Sequence, residues 1–175
     1  MTTLDTPQLR ASIKIDAPPA LVWALVSDVR RMAEWSPQVS SVRLKGEGGP
    51  VLGARFTNLN KQGELEWVTH GEVVRFEPGR EVAFRIEENR VIWSLRLSPT
   101  GDGTRLVQRR ETPDGISALS RELMDAHFGG QSAFTASLQE GMTETLAAIK
   151  ATAEARPGTS SGVKPRSEPD HLRPA

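Results

Sequence analysis

Residues 11–37, ASIKIDAPPALVWALVSDVRRMAEWSP, decide how the fold of this chain begins. The alternation at residues 11–16 predicts a strand, and the proline pair that follows suits the first turn of a helix. Apolar residues recur along one side of that helix, and a second short helix is predicted at 29–35. Pro37 ends it, because the residue before a proline is displaced from helical geometry. The stretch therefore predicts one strand followed by two short helices.

Six further strands and one long helix are predicted after this opening. A period of two indicates the strands, and turn signals such as Gln62-Gly63 and residues 100–103 separate them. A helical end follows at 116–155, interrupted at Gly129-Gly130. The six strands are predicted at 39–45, 54–61, 64–76, 81–87, 91–98 and 104–111.

The predicted fold class is α+β. A curved seven-stranded antiparallel sheet wraps around the long C-terminal helix, and the two short helices lie between strands 1 and 2. A curved sheet closed by a single helix leaves a cavity between them, and cavities of this kind usually hold small molecules.

The alternation within strands also predicts which side chains face this cavity. The phase changes near residues 71–74, which indicates a bulge. The resulting interior is mostly apolar with a few polar points, as is usual for a small-molecule pocket. The predicted ligand-binding residues are Phe56, Asn58, Asn60, Trp67, Thr69, Phe84, Trp93, Leu95, Gln108, Arg110, Phe134, Leu138 and Met142.

Composition argues against several other functions. Lys and Arg total 22 and Asp and Glu total 22, so no overall field favours nucleic acid. The chain has no cysteine and three dispersed histidines, so neither a metal site nor another cofactor is expected. No apolar run approaches the ~20 residues that a membrane span needs, and the N-terminus lacks signal-peptide features. We therefore expect a cytoplasmic protein without membrane insertion.

One domain is predicted, at residues 9–154. Residues 1–8 and the Pro/Ser/Gly-rich tail at 155–175 are predicted to be disordered, because they have too few apolar residues to offset the entropy of ordering. The expected oligomeric state is a monomer or a homodimer.

An ordered set of short motifs runs through this domain. They are Ile15-Asp16-Ala17-Pro18 with Val22-Trp23, Glu34-Trp35-Ser36-Pro37, Gly53-Ala54-Arg55-Phe56, Asn60 with Gly63 and Trp67, Glu77-Pro78-Gly79-Arg80, Gly101-Asp102-Gly103-Thr104-Arg105-Leu106, and Gly141-Met142 with Thr145-Leu146. Each motif is weak alone, but the ordered set is fairly specific. It resembles the START, polyketide cyclase and pathogenesis-related allergen superfamily (SRPBCC), and is similar to its small actinobacterial members.

The resemblance implies the helix-grip fold around a hydrophobic cavity. Members of this superfamily bind lipids, sterols, polyketides or hormones, some cyclise or dehydrate polyketides, and others act as co-chaperones or in toxin–antitoxin pairs. Because the matched motifs are mainly structural, the resemblance constrains the fold more than the activity.

Arg110 is the most informative candidate, because it places a charge on an inward-facing strand position. A buried guanidinium could hold a ligand carboxylate or enolate by two hydrogen bonds. The alternatives are a place at the cavity mouth or a pair with an acid such as Glu122. A second set of residues would either orient a ligand or bond one another across strands: Asn58, Asn60, Thr69 and Gln108.

Two histidines and one tryptophan complete the candidates. His127 lies beside the interruption of the helical end and is a candidate acid or base, although helix-terminal histidines are also common caps. Arg110 is the other catalytic candidate, because it could stabilise an enolate. His70 is expected to face solvent and to be inert. Trp35 is expected to pack the short helices against the sheet and shape the entrance.

Three functions follow from these observations. The first is non-catalytic binding of a small hydrophobic or amphipathic ligand, lipid or polyketide-like, in the cavity. The second is a polyketide cyclase or aromatase that uses Arg110 with Gln108 or His127. The third is a protein-interaction module, co-chaperone or toxin-like, that uses the outer face of the sheet or the tail.

Overall fold

The computed structural model describes residues 8–115, 118, 122, 125–126 and 129–155. The segments predicted to be disordered, 1–8 and 155–175, lie outside this part of the chain except for Gln8 and Ala155, as does His127. Their predicted properties stay predictions.

The described elements follow one another in the predicted order. They are β1 (Leu9–Ile15), α1 (Pro19–Val26), a 3₁₀ turn (Val29–Arg31), α2 (Met32–Trp35), β2 (Val39–Leu44), β3 (Arg55–Gln62), β4 (Leu65–Glu77), β5 (Glu81–Ile86), β6 (Ile92–Pro99), β7 (Thr104–Glu111) and α3 (Gln131–Ala155). The strands form one seven-stranded antiparallel sheet in the order β1-β7-β6-β5-β4-β3-β2. The predicted α+β, helix-grip fold class is confirmed.

Local sequence sets the ends of the short helices. Pro19 occupies the first turn of α1. The carboxylate of Asp28 accepts a hydrogen bond from the backbone N–H of Arg30 at 3.0 Å, which caps the 3₁₀ turn. The backbone N–H of Ser36 donates to the carbonyl of Met32 at 2.8 Å, and Pro37 stops the helix there.

The predicted change of phase in β4 is confirmed. Pairing between β4 and β5 shifts its register between Val73 and Arg75, which is a bulge. Before the bulge Val73 is buried in the core, and after it the ring of Phe76 lies 5.3 Å from that of Trp23. The extra residue therefore lets one long strand keep its apolar side chains inward along a curved sheet.

An apolar core fills one end of the space between sheet and helices. Ile15, Val22, Leu106, Leu146 and Ile149 are each at most 2% exposed and join β1, β7, α1 and the C-terminal half of α3. Phe134 and Leu138, in the N-terminal half of α3, lie at the other end of this space, which is open.

Packing is very close where β3 pairs with β4. The ring of Phe56 lies directly over Gly71, and a Cβ at Gly71 would overlap three of its ring carbons. Phe56 is itself fully buried, so the ring has no free space into which it can move.

Gly71→Ala should lower the free energy of unfolding by about 1–3 kcal/mol, the usual cost of an overpacked core. Urea denaturation followed by tryptophan fluorescence would measure this loss. The matched control is Gly48→Ala, where an added Cβ meets no atom within 4 Å and φ is not positive. Its unfolding free energy should stay within about 1 kcal/mol of the wild type. Equal stability of Gly71→Ala and the wild type would contradict this account of the core.

Candidate functional site: an internal cavity

A cavity of about 480 Å³ lies between the concave face of the sheet and α3. Its volume is within the usual range for small-molecule sites, about 300–1,000 Å³. The cavity is lined by Met32, Trp35, Ser36, Pro37, Gln38, Val39, Asn58, Asn60, Gln62, Leu65, Trp67, Thr69, Phe84, Ile86, Asn89, Val91, Trp93, Gln108, Arg110, Gly115, Phe134, Ser137, Leu138, Gly141, Met142 and Thr145.

The structure brings most of the predicted ligand-binding residues to this wall, and their contact with a ligand stays a prediction. The wall includes Asn58, Asn60, Trp67, Thr69, Phe84, Trp93, Gln108, Arg110, Phe134, Leu138 and Met142.

Phe56 and Leu95 are the exceptions, because they lie in the packed core instead of on the cavity wall. Phe56 packs edge-on against Phe84 with ring centroids 5.8 Å apart, and Leu95 is 1% exposed. Both face inward as predicted, but they sit nearer the filled end of the fold. Strand alternation predicts the direction of a side chain and not its depth along the strand.

Several wall residues were not among the predicted ligand-binding residues. Ser137 and Gly141 share the α3 stripe with Phe134 and Leu138, so helical spacing would have found them. Asn89 and the segment 36–38 come from turns, which carry no periodic signal. These turn residues could be placed only by the tertiary structure.

Arg110 is buried beneath α3, with 7% of its surface exposed. Its guanidinium carbon lies 5.9 Å from the ring centroid of Trp93 and 6.0 Å from that of Phe134, so it is in cation–π distance of both. Among the described residues no carboxylate pairs with it, and burial lowers its pKa to about 10. Glu122, considered as a partner, is exposed. At neutral pH the site therefore holds a protonated guanidinium.

The buried amides of the cavity divide into two kinds. Asn60 Nδ2 donates to Thr69 Oγ1 at 3.0 Å and to the carbonyl of Trp67 at 3.2 Å, so it joins β3 to β4. Asn58 Oδ1 and Gln108 Oε1 are buried acceptors without a hydrogen-bond partner among the described residues. Asn60 thus belongs to a structural network, while Asn58 and Gln108 keep free acceptors at the wall.

The turn between β5 and β6 contributes Asn89 and Val91 to the cavity wall. It is fastened from outside by His70, whose Nδ1 lies 2.5 Å from Glu88 Oε1 and whose backbone N–H donates to the same carboxylate. Arg90 in this turn has a φ of 58°, a conformation that non-glycine residues seldom adopt. His70 faces outward as predicted, and its side chain is paired with Glu88.

The remaining catalytic candidate, His127, is not placed, because it lies outside the described residues. Within the described part of the chain, no three His, Cys, Asp or Glu side chains are close enough together to hold a metal ion. No helix there is long and apolar enough to cross a membrane.

Comparison with known proteins agrees with this architecture. The family described as "Polyketide cyclase / dehydrase and lipid transport" matches residues 6–154. The solution structure of a polyketide-cyclase-like protein from Corynebacterium glutamicum is 30% identical, with a TM-score of 0.54, over 84% of this chain and 91% of that chain. A comparison with curated proteins finds no match.

Two aromatase/cyclase structures show the same fold at lower identity. The ZhuI aromatase/cyclase of a Streptomyces species is 18% identical, with a TM-score of 0.66, over 90% of this chain and 99% of that chain. The di-domain protein StfQ of the steffimycin biosynthetic pathway is 16% identical, with a TM-score of 0.68, over 85% of this chain. The chain spans only 51% of StfQ.

The chain belongs to the polyketide cyclase/dehydrase and lipid transport family. The superfamily predicted from the ordered motifs is therefore confirmed. If the protein is an enzyme, its class is that of the polyketide cyclases and dehydrases.

The pair of His70 and Glu88 predicts a pH-dependent stability. Burial would raise the pKa of Glu88, but hydrogen bonds from His70 outweigh it and the pKa lies below its ordinary 4.5. A carboxyl with a depressed pKa stabilises the fold above its unfolded pKa, and this contribution is lost as the pH falls through the folded pKa. Glu88→Gln should therefore be less stable than the wild type at neutral pH, and the difference should shrink below about pH 4.5.

Urea denaturation at a series of pH values would measure this difference. Glu87→Gln is the matched control, because Glu87 is an exposed neighbour that forms no ion pair with any described residue. Its stability should follow that of the wild type at every pH. A loss in Glu88→Gln that is independent of pH would show that the charge of Glu88 is not what fastens the turn.

Proposed function

We propose that the protein binds a small hydrophobic or amphipathic molecule, lipid-like or polyketide-like, inside the cavity and does so without catalysis. The observation that carries this proposal is the cavity itself, about 480 Å³ with walls of aromatic and aliphatic side chains. Burial of a ligand's apolar surface there would contribute about 25 cal/mol for each Å² removed from water. The few polar wall groups would then orient the molecule.

The chemistry of the wall supports binding over catalysis. Among the described residues that line the cavity, Arg110 is the only titratable side chain. With a pKa of about 10, its guanidinium is a poor proton acceptor near neutral pH. The remaining wall residues offer amides, hydroxyls and apolar groups, which hold a ligand but do not move a proton readily.

Cyclisation of a polyketide is the second candidate. A protonated Arg110 beside Gln108 on β7 could stabilise an enolate oxygen during an aldol closure. The likeness of this fold to two aromatase/cyclases supports the idea. Such a reaction would need a base from solvent or from a residue outside the described wall.

A poly-β-ketone thioester mimic tests this second candidate. If Arg110 stabilises the enolate, the wild type should accelerate formation of a cyclised product and Arg110→Gln should lose about 100-fold or more of that rate. Liquid chromatography with mass spectrometry would follow the products. A product profile identical to that of the buffer control would exclude this activity for the mimic.

The binding proposal predicts that filling the cavity abolishes binding without unfolding the protein. Gly141 in α3 lines the cavity, and a Cβ there meets no atom within 4 Å. Gly141→Leu should lower the affinity for the neutral fluorescent probe phenylnaphthylamine about tenfold or more. Its unfolding free energy should be unchanged or higher, because glycine within a helix costs about 1 kcal/mol relative to alanine.

The matched control is Gly141→Ala, which gains the same helix propensity but fills little of the cavity. It should bind the probe as the wild type does. Native mass spectrometry of the purified protein, with extraction of any retained molecule, provides an independent readout. A protein that is empty and also ignores the probe would contradict the proposed function.

A further inference from the structure

Three polar side chains of the cavity wall lie on two well-separated strands of the curved sheet. Gln108 and Arg110 are two residues apart on one face of β7, and Asn58 lies on β3. Three strands separate β7 from β3, so four strand spacings of about 4.8 Å lie between the two groups along the sheet. Because the sheet curves, both groups line the same cavity. The cavity therefore has a polar point at each side and aromatic side chains between them.

The side on β7 is cationic and also carries a free acceptor. The guanidinium carbon of Arg110 lies 5.9 Å from the ring centroid of Trp93 and 6.0 Å from that of Phe134, and Arg110 has no carboxylate partner among the described residues. A buried charge without a counter-ion is costly, and an anionic oxygen from a ligand would neutralise it. Gln108 Oε1, close along the same strand, accepts no hydrogen bond from the described residues.

The side on β3 offers an acceptor alone. Asn58 is 2% exposed, and its Nδ2 group is directed at Met32 Sδ, 4.0 Å away. The oxygen is the amide atom left without a partner. A buried acceptor in this state lowers the stability of the empty protein, and a ligand hydroxyl could recover that loss by donating to it. Asn60 offers no such opportunity, because its amide is already bonded to Thr69 and Trp67.

We propose that the cavity selects a hydroxylated acid, with its anionic oxygen at Arg110 and hydrogen-bond-donating hydroxyl groups at Gln108 Oε1 and Asn58 Oδ1. This inference rests on the proposed binding function and names the chemistry of the ligand for that same cavity. A molecule with the same apolar body but no anion, or with no donor, would leave these buried groups unpaired and bind more weakly.

Matched probes test the donor and the anion separately. Hydroxynaphthoic acid, with its two substituents at opposite ends of the rings, carries both groups, whereas methoxynaphthoic acid keeps the oxygen and loses the donor. The wild type should bind the hydroxy acid about tenfold more tightly than the methoxy acid, as expected for a recovered buried hydrogen bond. Isothermal titration calorimetry would measure both affinities, and equal affinities in this ring series and in the chain series below would overturn the proposal.

Substitutions assign the effect to the named groups. Asn58→Leu and Gln108→Leu remove one acceptor each, and at least one of them should reduce the hydroxy-to-methoxy ratio to about two or less. Arg110→Met should weaken naphthoic acid about tenfold to a hundredfold and leave its methyl ester unchanged. A ratio unchanged in both leucine variants, or equal losses for acid and ester, would overturn the assignment. Thermal unfolding of each variant verifies that it is folded. If a variant does not fold, the probe series with the wild-type protein still tests the proposal.

A second pair of probes distinguishes a ligand with a ring skeleton from one with an alkyl chain, because both could carry an anion and a hydroxyl. Hydroxydodecanoic acid, with the hydroxyl on its terminal carbon, is compared with dodecanoic acid, as the chain equivalent of the ring probes. A hydroxyl preference in one series supports the proposal and identifies a chain or ring skeleton, and its absence from both overturns it.

Phenylnaphthylamine binding then distinguishes this inference from the proposed binding function. If phenylnaphthylamine binds but neither acid series shows a preference for the acid or the hydroxyl, only the present inference fails. If neither this probe nor any of the acids binds, the proposed function fails as well.

Discussion

The packing of the C-terminal half of α3 against β1 and the short helices is the contact on which the rest of the structure depends. Leu146, Ile149 and Ala153 are buried there with Ile15 and Val22, so the helix is held firmly at one end. Because the sheet curves away from the helix axis, the two elements cannot stay in contact along their whole length. The separation at the other end is the cavity, so the void follows from the same packing that stabilises the fold.

Polar groups are distributed according to this division. Near the filled end, Thr104 is fully buried and its Oγ1 donates to the carbonyl of Ala17 at 2.8 Å, so its hydroxyl has a partner within the core. At the cavity wall, Trp35 Nε1, Asn58 Oδ1 and Gln108 Oε1 have no hydrogen-bond partner among the described residues. Each such group costs stability in the empty protein. Groups that reduce stability and face a cavity are expected where a protein gives up stability for function.

The sequence predicted the strands, the bulge in β4 and the inward faces, because alternation and turn residues report directly on local geometry. It did not predict that Phe56 and Leu95 lie below the cavity, because depth depends on how far the sheet curves from α3. Nor did it predict that Glu88 would fasten His70, since that pair is 18 residues apart in sequence and depends on a turn. Asn58 and Asn60 look equivalent in the sequence, and only the positions of Thr69 and Trp67 make one of them structural.

The cavity and its rim are built from different kinds of structure. The interior wall comes mostly from strands and α3, whose side chains are fixed by a regular backbone. The rim includes turn residues such as Pro37 and Asn89, and Asn89 is next to Arg90 in its left-handed conformation. A turn that contains strain is held by its contacts, here by Glu88 and His70, and not by backbone preference. The polar groups proposed to recognise a ligand thus lie on strands, while the turn held by Glu88 and His70 shapes a different part of the cavity, so substitutions can alter one while leaving the other intact.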